Sequence, residues 1–172
     1  MEKYVPDMYQ KSIYTIDYSK LLSKGIKCLL FDLDNTIVSS KSHEQSKKAK
    51  DLFISLKQKG FKVIIFSNSP KRRVKAYKEF FNIEGVHFAL KPLTFKLKKL
   101  MKKESLTSDM MAIIGDQIMT DVIMGNKLGL TTILINPLGE DHVFSIFNRM
   151  RENRVIKKLS KNNLFFRGSY YE

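Results

Sequence analysis

Several residue types and patterns are scarce in this chain of 172 residues, and each scarcity excludes a class of protein. The single cysteine, Cys28, permits neither an intramolecular disulfide nor a Cys-rich zinc site. No apolar run approaches the roughly 18 residues that span a bilayer, and residues 1–10 lack the pattern of a secretion signal. The histidines match no metal-ligand spacing; they are His43, His87 and His142. We therefore expect a cytoplasmic protein, at most peripheral at the inner face of the membrane.

Acidic residues are also scarce relative to basic ones. The chain has 31 Lys and Arg residues against 17 Asp and Glu residues, which gives a formal net charge of +14. Such a surface attracts nucleic acids, phosphorylated metabolites and anionic lipid headgroups alike. Charge alone identifies no partner, and the excess also fits the ordinary solvation of a lysine-rich chain.

The composition is that of a globular protein. Hydrophobic residues make up 43% of the chain and aromatic residues 11%, and no repeat, low-complexity tract or linker divides it. We expect a single domain over residues 1–172. Its parts are an N-terminal extension (1–24) packed on the domain, a core (25–140), and a C-terminal helix and tail (141–172), with the tail after residue 160 partly mobile.

Short apolar runs alternate with amphipathic stretches along the chain. The predicted strands are Cys28–Phe31, 63–66, 86–90, 110–114 and Thr131–Ile135. The predicted helices are 46–59, 70–81, Phe95–Glu104, 118–128 and about 145–160. This alternation predicts an α/β fold in which helices cover both faces of a central parallel sheet, as a three-layer sandwich.

Polar residues at the helix boundaries support these predictions. Ser42 and Gln45 have capping-box spacing before the first core helix. Ser69 and Pro70 suit an N-cap and a first helical residue, and Thr94 suits another N-cap. Glycines suited to a left-handed helix stop follow two of the helices, at Gly60 and Gly129.

Four predicted strands end next to polar residues that suit phosphate chemistry. These residues are Asp32, Ser67, Lys91 and Asp116. Ligands of open α/β sheets bind beyond the carboxyl ends of the strands, and parallel strands bring those ends to one edge. The sequence therefore predicts a phosphate site at this edge.

The residue types at this edge suit phosphoryl transfer. Asp32 and Asp34 share one face of an extended segment, so one can attack phosphorus while the other moves a proton. Both are anionic, as is a phosphate ester, and Mg²⁺ with oxygen ligands is the usual cation between them. Asp116 would add a further oxygen ligand. Ser67 and Lys91 would hold the transferring phosphoryl oxygens.

Each of these residues also has an ordinary explanation. Asp34 suits a turn in which a carboxylate bonds its own backbone, and Lys91 suits an exposed surface position. Asp116 and Asp121 suit helix capping and interaction with the helix dipole. The ordered appearance of such residues at four strand ends favours the functional interpretation.

The same residues resemble a known family. The segments Asp32-Leu33-Asp34-Asn35-Thr36, Ser67-Asn68, Lys91-Pro92 and Gly115-Asp116-Gln117…Asp121 resemble the four motifs of the haloacid dehalogenase (HAD) superfamily of phosphohydrolases. The closer resemblance is to the small bacterial YqeG family, which is similar to the mitochondrial phosphatidylglycerophosphate phosphatases. It covers nearly the whole chain and implies a Rossmann-like fold.

The resemblance also implies a role for each motif residue. Asp32 would be the nucleophile and become an aspartyl phosphate, and Asp34 would act first as acid and then as base. Mg²⁺ would bind Asp32, the backbone carbonyl of Asp34 and Asp116. The remaining roles would be phosphate binding by Ser67, Asn68 and Lys91, and support by Thr36 and Asp121, the latter at the metal site or on Lys91.

The motif spacing leaves no room for a cap domain. Residues 35–66 hold one predicted helix and one strand, and so do residues 68–90. An open site admits a phosphate carried by a lipid headgroup, a polynucleotide end or a protein. The single cysteine excludes the zinc loop that capless sugar-phosphate phosphatases often carry.

Basic residues cluster near the motifs and on the last helix. The clusters are Lys71, Arg72, Arg73 and Lys75; Lys96, Lys98, Lys99, Lys102 and Lys103; and Arg149, Arg151, Arg154, Lys157 and Lys158. A basic amphipathic helix can lie on an anionic membrane. The alternative is that the apolar side of the last helix, with Phe144, Ile146, Phe147 and Met150, packs on the sheet.

Several functions remain open on the sequence alone. The leading hypothesis is a Mg²⁺-dependent phosphatase of phospholipid metabolism that hydrolyses phosphatidylglycerophosphate. The same catalytic residues would serve a phosphatase of nucleic-acid ends or of phosphoproteins. The charge alone fits a nucleic-acid-binding or ribosome-binding protein on a HAD fold, whose binding would depend steeply on salt.

Overall fold

Six short strands form one sheet in which every pair is parallel. The computed structural model describes residues 1–39, 47–139 and 145–172, and only the backbone of residues 145–149. The strands are β1 (Met8–Gln10), β2 (Cys28–Phe31), β3 (Lys62–Phe66), β4 (Glu84–Val86), β5 (Met111–Gly115) and β6 (Thr131–Ile135). Their order across the sheet is β1-β6-β5-β2-β3-β4. The predicted central parallel sheet is confirmed.

Helices cover both faces of this sheet. They are α1 (Tyr18–Ser23), α2 (Lys47–Gln58), α3 (Lys71–Phe81), α4 (Phe95–Glu104), α5 (Ile123–Leu128) and α6 (Ser145–Lys161). Short 3₁₀ turns lie at Glu2–Tyr4 and Ser108–Met110, and Ile118–Val122 is π-helical. Within the described residues, the stretches between the motif residues hold only α2 with β3, and α3 with β4, as expected of a capless protein.

The two faces of the sheet are packed by different helices. Alternate residues of β2 face opposite sides, so Leu29 and Phe31 belong to one core cluster and Cys28 and Leu30 to the other. The apolar sides of α1, α2 and α3 complete the first cluster, and those of α4 and α5 complete the second. Burial on both faces explains why the central strands are continuous apolar runs.

Two predicted elements differ from the structure. We predict a strand over 86–90, but β4 ends at Val86 because Phe88 and Leu90 have left-handed backbone, with φ of 44° and 59°. The helix predicted over 118–128 is divided into the π-helical turn Ile118–Val122 and α5. Within the π-helical turn, the N–H groups of Asp121 and Val122 both donate to the carbonyl of Gln117.

The N-terminal segment does more than pack on the domain. It supplies β1, which pairs with β6, and the Asp7 carboxylate accepts hydrogen bonds from the Thr132 N–H and hydroxyl at 2.7 and 2.9 Å. The tail is also held in place, since Phe165 is buried and Tyr171 exchanges two 2.9 Å backbone hydrogen bonds with Tyr9. These contacts join the tail to the same edge of the sheet as β1.

The last helix packs along part of its apolar side. Leu159 is fully buried, and Val155 and Ile156 contact the same cluster as Phe165. Of the apolar residues considered for a membrane face, Met150 is exposed, and the side chains at positions 144, 146 and 147 lie outside the described residues. So do the predicted capping residues Ser42 and Gln45. None of the described helices is both long enough and apolar enough to span a membrane.

Candidate active site

Three of the motif residues follow neighbouring strands at the carboxyl edge of the sheet. Asp32 follows β2, Ser67 follows β3 and Asp116 follows β5, and the order β3-β2-β5 places Asp32 between the other two. The sheet hydrogen bonding continues into two of them. The Asp32 N–H donates to the Ile114 carbonyl at 2.9 Å, and the Ser67 N–H donates to the Val86 carbonyl at 3.0 Å. The backbone at the site is therefore fixed by the sheet.

Lys91 is buried between two carboxylates. Its Nζ lies 2.5 Å from Asp32 Oδ1 and 2.6 Å from Asp121 Oδ1. Burial alone would lower the pKa of this ammonium, but the charges and hydrogen bonds of Asp121 and Asp32 outweigh burial and raise the pKa above its usual value. Lys91 therefore stays charged and supplies a fixed cation beside Asp32. The ordinary interpretation of Lys91 as an exposed surface lysine is wrong.

Asp32 and Asp116 are buried carboxyl groups, and burial disfavours their charged form. Burial raises the pKa of Asp32 to about 6, Lys91 opposes this rise, and Asp121 and Asp34 add to it. The pKa of Asp116 is raised well above its usual value by burial, and further by the charges of Asp32 and Asp121. A bound cation would relieve both penalties.

The donor set fits a cation of the Mg²⁺ type. Across the described residues, no three His, Cys, Asp or Glu side chains stand together as a ready metal cage. Mg²⁺ does not need such a cage, because it keeps several waters and binds proteins through one or two carboxylates together with substrate phosphates. Asp32, Asp116 and the backbone carbonyl of Asp34 are hard oxygen donors of this kind.

Asp34 faces a different partner. Arg73 Nε donates to Asp34 Oδ1 at 2.7 Å, and Arg73 Nη2 lies 2.6 Å from the same oxygen. The Ser69 hydroxyl donates to the other oxygen, Oδ2. Asp34 is also more exposed than Asp32, with 28% of its side chain accessible against 11%. The two carboxylates of the motif are therefore distinct: Asp32 is held by Lys91, and Asp34 is held by Arg73 and Ser69.

Ser67 and Asn68 organise the loop that holds Lys91. The buried Ser67 hydroxyl oxygen accepts a 3.1 Å hydrogen bond from the Ser69 N–H. The Asn68 side chain donates to the Lys91 carbonyl at 3.1 Å and accepts from the Lys91 N–H at 2.7 Å. The Asn68 amide is thus used to position the lysine backbone. The amino end of α3 follows this loop, and helix N-termini favour anions.

Asp121 is buried with both carboxylate oxygens engaged. One oxygen contacts Lys91, and the other accepts 3.3 Å hydrogen bonds from the Gln117 N–H and the Thr120 hydroxyl. The resemblance leaves Asp121 either a role at the metal site or the orientation of Lys91, and this geometry favours the orientation of Lys91. Gly115 makes room for it, because a Cβ at that position would lie 2.2 Å from the Asp121 carboxylate. Thr36 is buried nearby, with its hydroxyl 3.5 Å from Asp116 Oδ1.

The sequence patterns assign no role in the site to three residues that the structure brings to it. The Ser69 side chain bonds Asp34 instead of capping α3, whose N-cap position is Pro70, so the predicted capping role of Ser69 is wrong. Arg73 was one member of a basic cluster with no assigned partner. Glu152 reaches the site from α6 and accepts a 3.0 Å hydrogen bond from the Ile118 N–H. The one available signal was that Glu152 is the sole acidic residue in the sequence of α6.

Comparisons with known proteins show the family of this chain. A family model described as mitochondrial PGP phosphatase matches residues 2–139. The probable phosphatase YqeG of Bacillus subtilis (strain 168) is 33% identical over 159 residues, which cover 92% of this chain and 92% of that protein.

A plant enzyme and a solved structure are also similar. Phosphatidylglycerophosphate phosphatase 1, chloroplastic/mitochondrial, of Arabidopsis thaliana is 26% identical over 177 residues. The match covers 93% of this chain and 49% of that protein, so the chain spans about half its length. A solved structure described as a predicted HAD-like family hydrolase from Porphyromonas gingivalis shares the fold, with a TM-score of 0.53 and 13% identity over 74% of this chain and 99% of that one.

Proposed function

Because this chain belongs to the mitochondrial PGP phosphatase family, a group of HAD-type phosphatases, we propose that it hydrolyses a phosphomonoester through a phosphorylated Asp32. The observation that carries this proposal is the buried Lys91 ammonium between Asp32 and Asp121. A fixed cation at the end of the central strand suits a group that must bring an anionic substrate to an anionic nucleophile.

The proposed reaction has two steps. An Asp32 oxygen bonds to phosphorus while the bond from phosphorus to the ester oxygen breaks, and the Asp34 carboxyl gives its proton to the departing oxygen. Water then attacks phosphorus, Asp34 takes a proton from it, and the bond from phosphorus to Asp32 breaks to release inorganic phosphate. The contacts of Asp34 with Arg73 and Ser69 would orient it in both steps.

The remaining residues of the site hold the phosphoryl group. Lys91, Ser67 and the amino end of α3 would bind its oxygens by charge and hydrogen bond. Mg²⁺, when bound by Asp32, Asp116 and the Asp34 carbonyl, would supply positive charge between the two anions. Asp121 would orient Lys91, and Thr36 would support Asp116. Phosphate binding by Asn68 stays a prediction; its side-chain amide bonds the backbone of Lys91 and would also hold that residue in place.

We propose phosphatidylglycerophosphate as the substrate and the cytoplasmic face of a membrane as the place of action. The name of the plant relative, the basic surface and the open edge of a capless sheet support this choice. Nucleic-acid ends and phosphoproteins are the alternative carriers of the same phosphate group.

The test is phosphate release by the purified protein with Mg²⁺, on phosphatidylglycerophosphate in mixed micelles and on a soluble aryl phosphate. Asp32→Asn removes the nucleophile and should abolish both reactions. Asp51→Asn makes the same chemical change at an exposed position on α2 and serves as the matched control.

The outcomes separate the parts of the proposal. Fast lipid hydrolysis that is lost in Asp32→Asn and kept in Asp51→Asn supports the mechanism and the substrate. Turnover of the aryl phosphate alone keeps the mechanism and directs the search to nucleic-acid and phosphoprotein substrates. Full activity in Asp32→Asn would contradict the nucleophile, and full activity in excess EDTA would contradict the metal.

A further inference from the structure

The loop that carries Lys91 and the first residue of α4 together expose an unusual concentration of large apolar side chains. Of the twelve such side chains that are exposed in the described part of the chain, four lie within eight consecutive positions. They are Phe88, Leu90, Leu93 and Phe95, with exposed fractions of 47%, 45%, 55% and 53%. We call these four residues the apolar loop. Grouped exposure of this kind marks an interaction surface, whereas single exposed apolar residues are ordinary.

The apolar loop is held firmly by the structure beneath it. The N–H groups of Phe88 and Ala89 donate to the carbonyls of Ser69 and Ser67 at 3.0 and 2.9 Å. Lys96 Nζ donates to the Phe88 carbonyl at 2.6 Å and ties the loop to α4. Since Ala89 and Lys91 are buried between exposed neighbours, the loop alternates inward and outward side chains. Its exposed residues are therefore presented in a defined arrangement.

The backbone of the loop is unfavourable for the residues that occupy it. Phe88 and Leu90 have φ of 44° and 59°, a left-handed conformation that glycine or asparagine adopts far more readily than a bulky side chain. Both side chains are also left in water. The Phe88 ring contacts the His87 ring, with centroids 5.7 Å apart, but neither local conformation nor core packing explains Phe and Leu at these positions. An unfavourable backbone that carries exposed apolar side chains points to a functional surface.

Positive charge lies beside the apolar loop on α4. Lys98, Lys99 and Lys102 follow Phe95 at helical spacings of three, four and seven, so they share its exposed face. The opposite face of α4 is buried through Leu97 and Leu100. We call these three lysines the lysine stripe. An apolar end joined to a row of lysines is complementary to an anionic lipid surface, where apolar groups enter the acyl boundary and lysines meet headgroups.

We propose that the apolar loop and the lysine stripe dock the protein on an anionic bilayer. Lys91 lies between Leu90 and Leu93 in the chain, and its ammonium is 2.5 Å from the Asp32 carboxylate. Docking by this loop would bring lipid phosphates to the mouth of the site. The proposal rests on the proposed function for what docking delivers, while vesicle binding is a property of the surface itself.

The test measures co-sedimentation with vesicles of phosphatidylcholine alone and of an equimolar mixture with phosphatidylglycerol. We expect binding to the mixture, weakened by salt. The variant Leu93→Ser/Phe95→Ser should lower the affinity by at least about tenfold, and Lys98→Gln/Lys99→Gln/Lys102→Gln should lower it and its salt dependence. Leu164→Ser/Phe166→Ser makes the same apolar changes at similarly exposed tail positions and should bind as the wild type does.

Three results would overturn the docking surface. They are equal binding by the loop variant and the wild type, equal binding to both kinds of vesicle, and a dimer of the wild type that the loop variant abolishes, which would assign the surface to a second copy of the chain. Thermal unfolding of each variant checks that it folds.

Hydrolysis of the soluble aryl phosphate separates the two proposals. Loop-dependent vesicle binding by a protein with no phosphatase activity would leave the docking surface standing and contradict the proposed function. Aryl phosphate hydrolysis without vesicle binding would contradict the docking surface and leave the phosphatase chemistry standing.

Discussion

At the scale of single residues, two acids of one motif, two positions apart in the chain, differ in their partners. Asp32 is buried against Lys91, while Asp34 is more exposed and is held by Arg73 and Ser69. A nucleophile benefits from a fixed cation that steadies its charge, and a proton-transfer group benefits from partners that fix its direction. The two roles proposed for these acids therefore have a structural basis in their different neighbours.

Arg73 is a positioning residue, and its removal should affect turnover more than binding. Arg73→Ala frees one oxygen of Asp34, so we expect kcat on the aryl phosphate to fall by about 10- to 100-fold with little change in KM. Arg73→Lys keeps the charge without the two-nitrogen contact and should recover part of the loss. Arg72→Ala, an exposed neighbour on the same helix, is the control. A rise in KM with unchanged kcat would assign Arg73 to substrate binding instead.

At the scale of elements, the π-helical turn Ile118–Val122 and α6 are joined through one buried acid, Glu152. Glu152 of α6 accepts a hydrogen bond from the Ile118 N–H at the start of the π-helical turn. Burial raises the pKa of Glu152 to about 7, although this hydrogen bond and Arg167 oppose the rise. This contact ties the last helix to the edge of the sheet that carries Asp116 and Asp121.

The raised pKa of Glu152 makes stability depend on pH. Between the usual pKa of a glutamate, about 4.3, and about 7, the unfolded chain loses this proton while the folded chain keeps it. The free energy of unfolding therefore decreases as pH rises through this window. Glu152→Gln removes the effect and can still accept from the Ile118 N–H.

Urea unfolding of both proteins at pH 4.5 and pH 8 without divalent cations measures this difference. The variant should gain on the wild type by roughly 2–3 kcal/mol over that range. A difference that stays constant would mean that Glu152 is ionised in the folded protein.

The elements were predicted from the sequence where burial on both faces made the pattern continuous. β2 and β6 have the predicted bounds, because each is a continuous apolar run. The helix α4 also has its predicted bounds. The three-residue edge strands β1 and β4 were missed or misplaced, since edge strands carry short and mixed patterns. Asp32, Ser67 and Asp116 could be found because they follow strand ends, whereas Lys91 lies in a loop five residues after the end of β4. The partners of Ser69, Arg73 and Glu152 depend on contacts between distant elements, which the sequence pattern does not show.

At the scale of the whole molecule, the two ends of the chain hold each other. The Tyr9 ring of β1 lies 5.0 Å from the Phe165 ring and 4.9 Å from the Tyr170 ring, measured between centroids. The Tyr9–Tyr171 backbone pairing adds an antiparallel bridge to the edge of the sheet. The tail thereby covers the exposed side of β1, an edge that would otherwise be open to pairing with other chains.

Because the tail packs on β1, we expect the buried tail residue Phe165 to contribute more to the free energy of unfolding than its exposed neighbour Phe166. Phe165→Ala removes a buried ring and should lower the free energy of unfolding by about 3 kcal/mol. Phe166→Ala removes an exposed ring of the same size and should change it by less than about 0.5 kcal/mol. Denaturant midpoints compare the two variants, and equal effects would mean that the tail does not pack on β1 in solution.

The buried position of Cys28 has a practical consequence for spectroscopy. It is the single thiol of the chain, it lies wholly inside the sheet, and burial raises its pKa to about 12. The thiolate is the form that attacks thiol reagents, so this buried thiol stays unreactive at neutral pH in the folded protein. A cysteine introduced on the surface would then be the one reactive handle, and a fluorophore or spin label could be attached there without first removing the native residue.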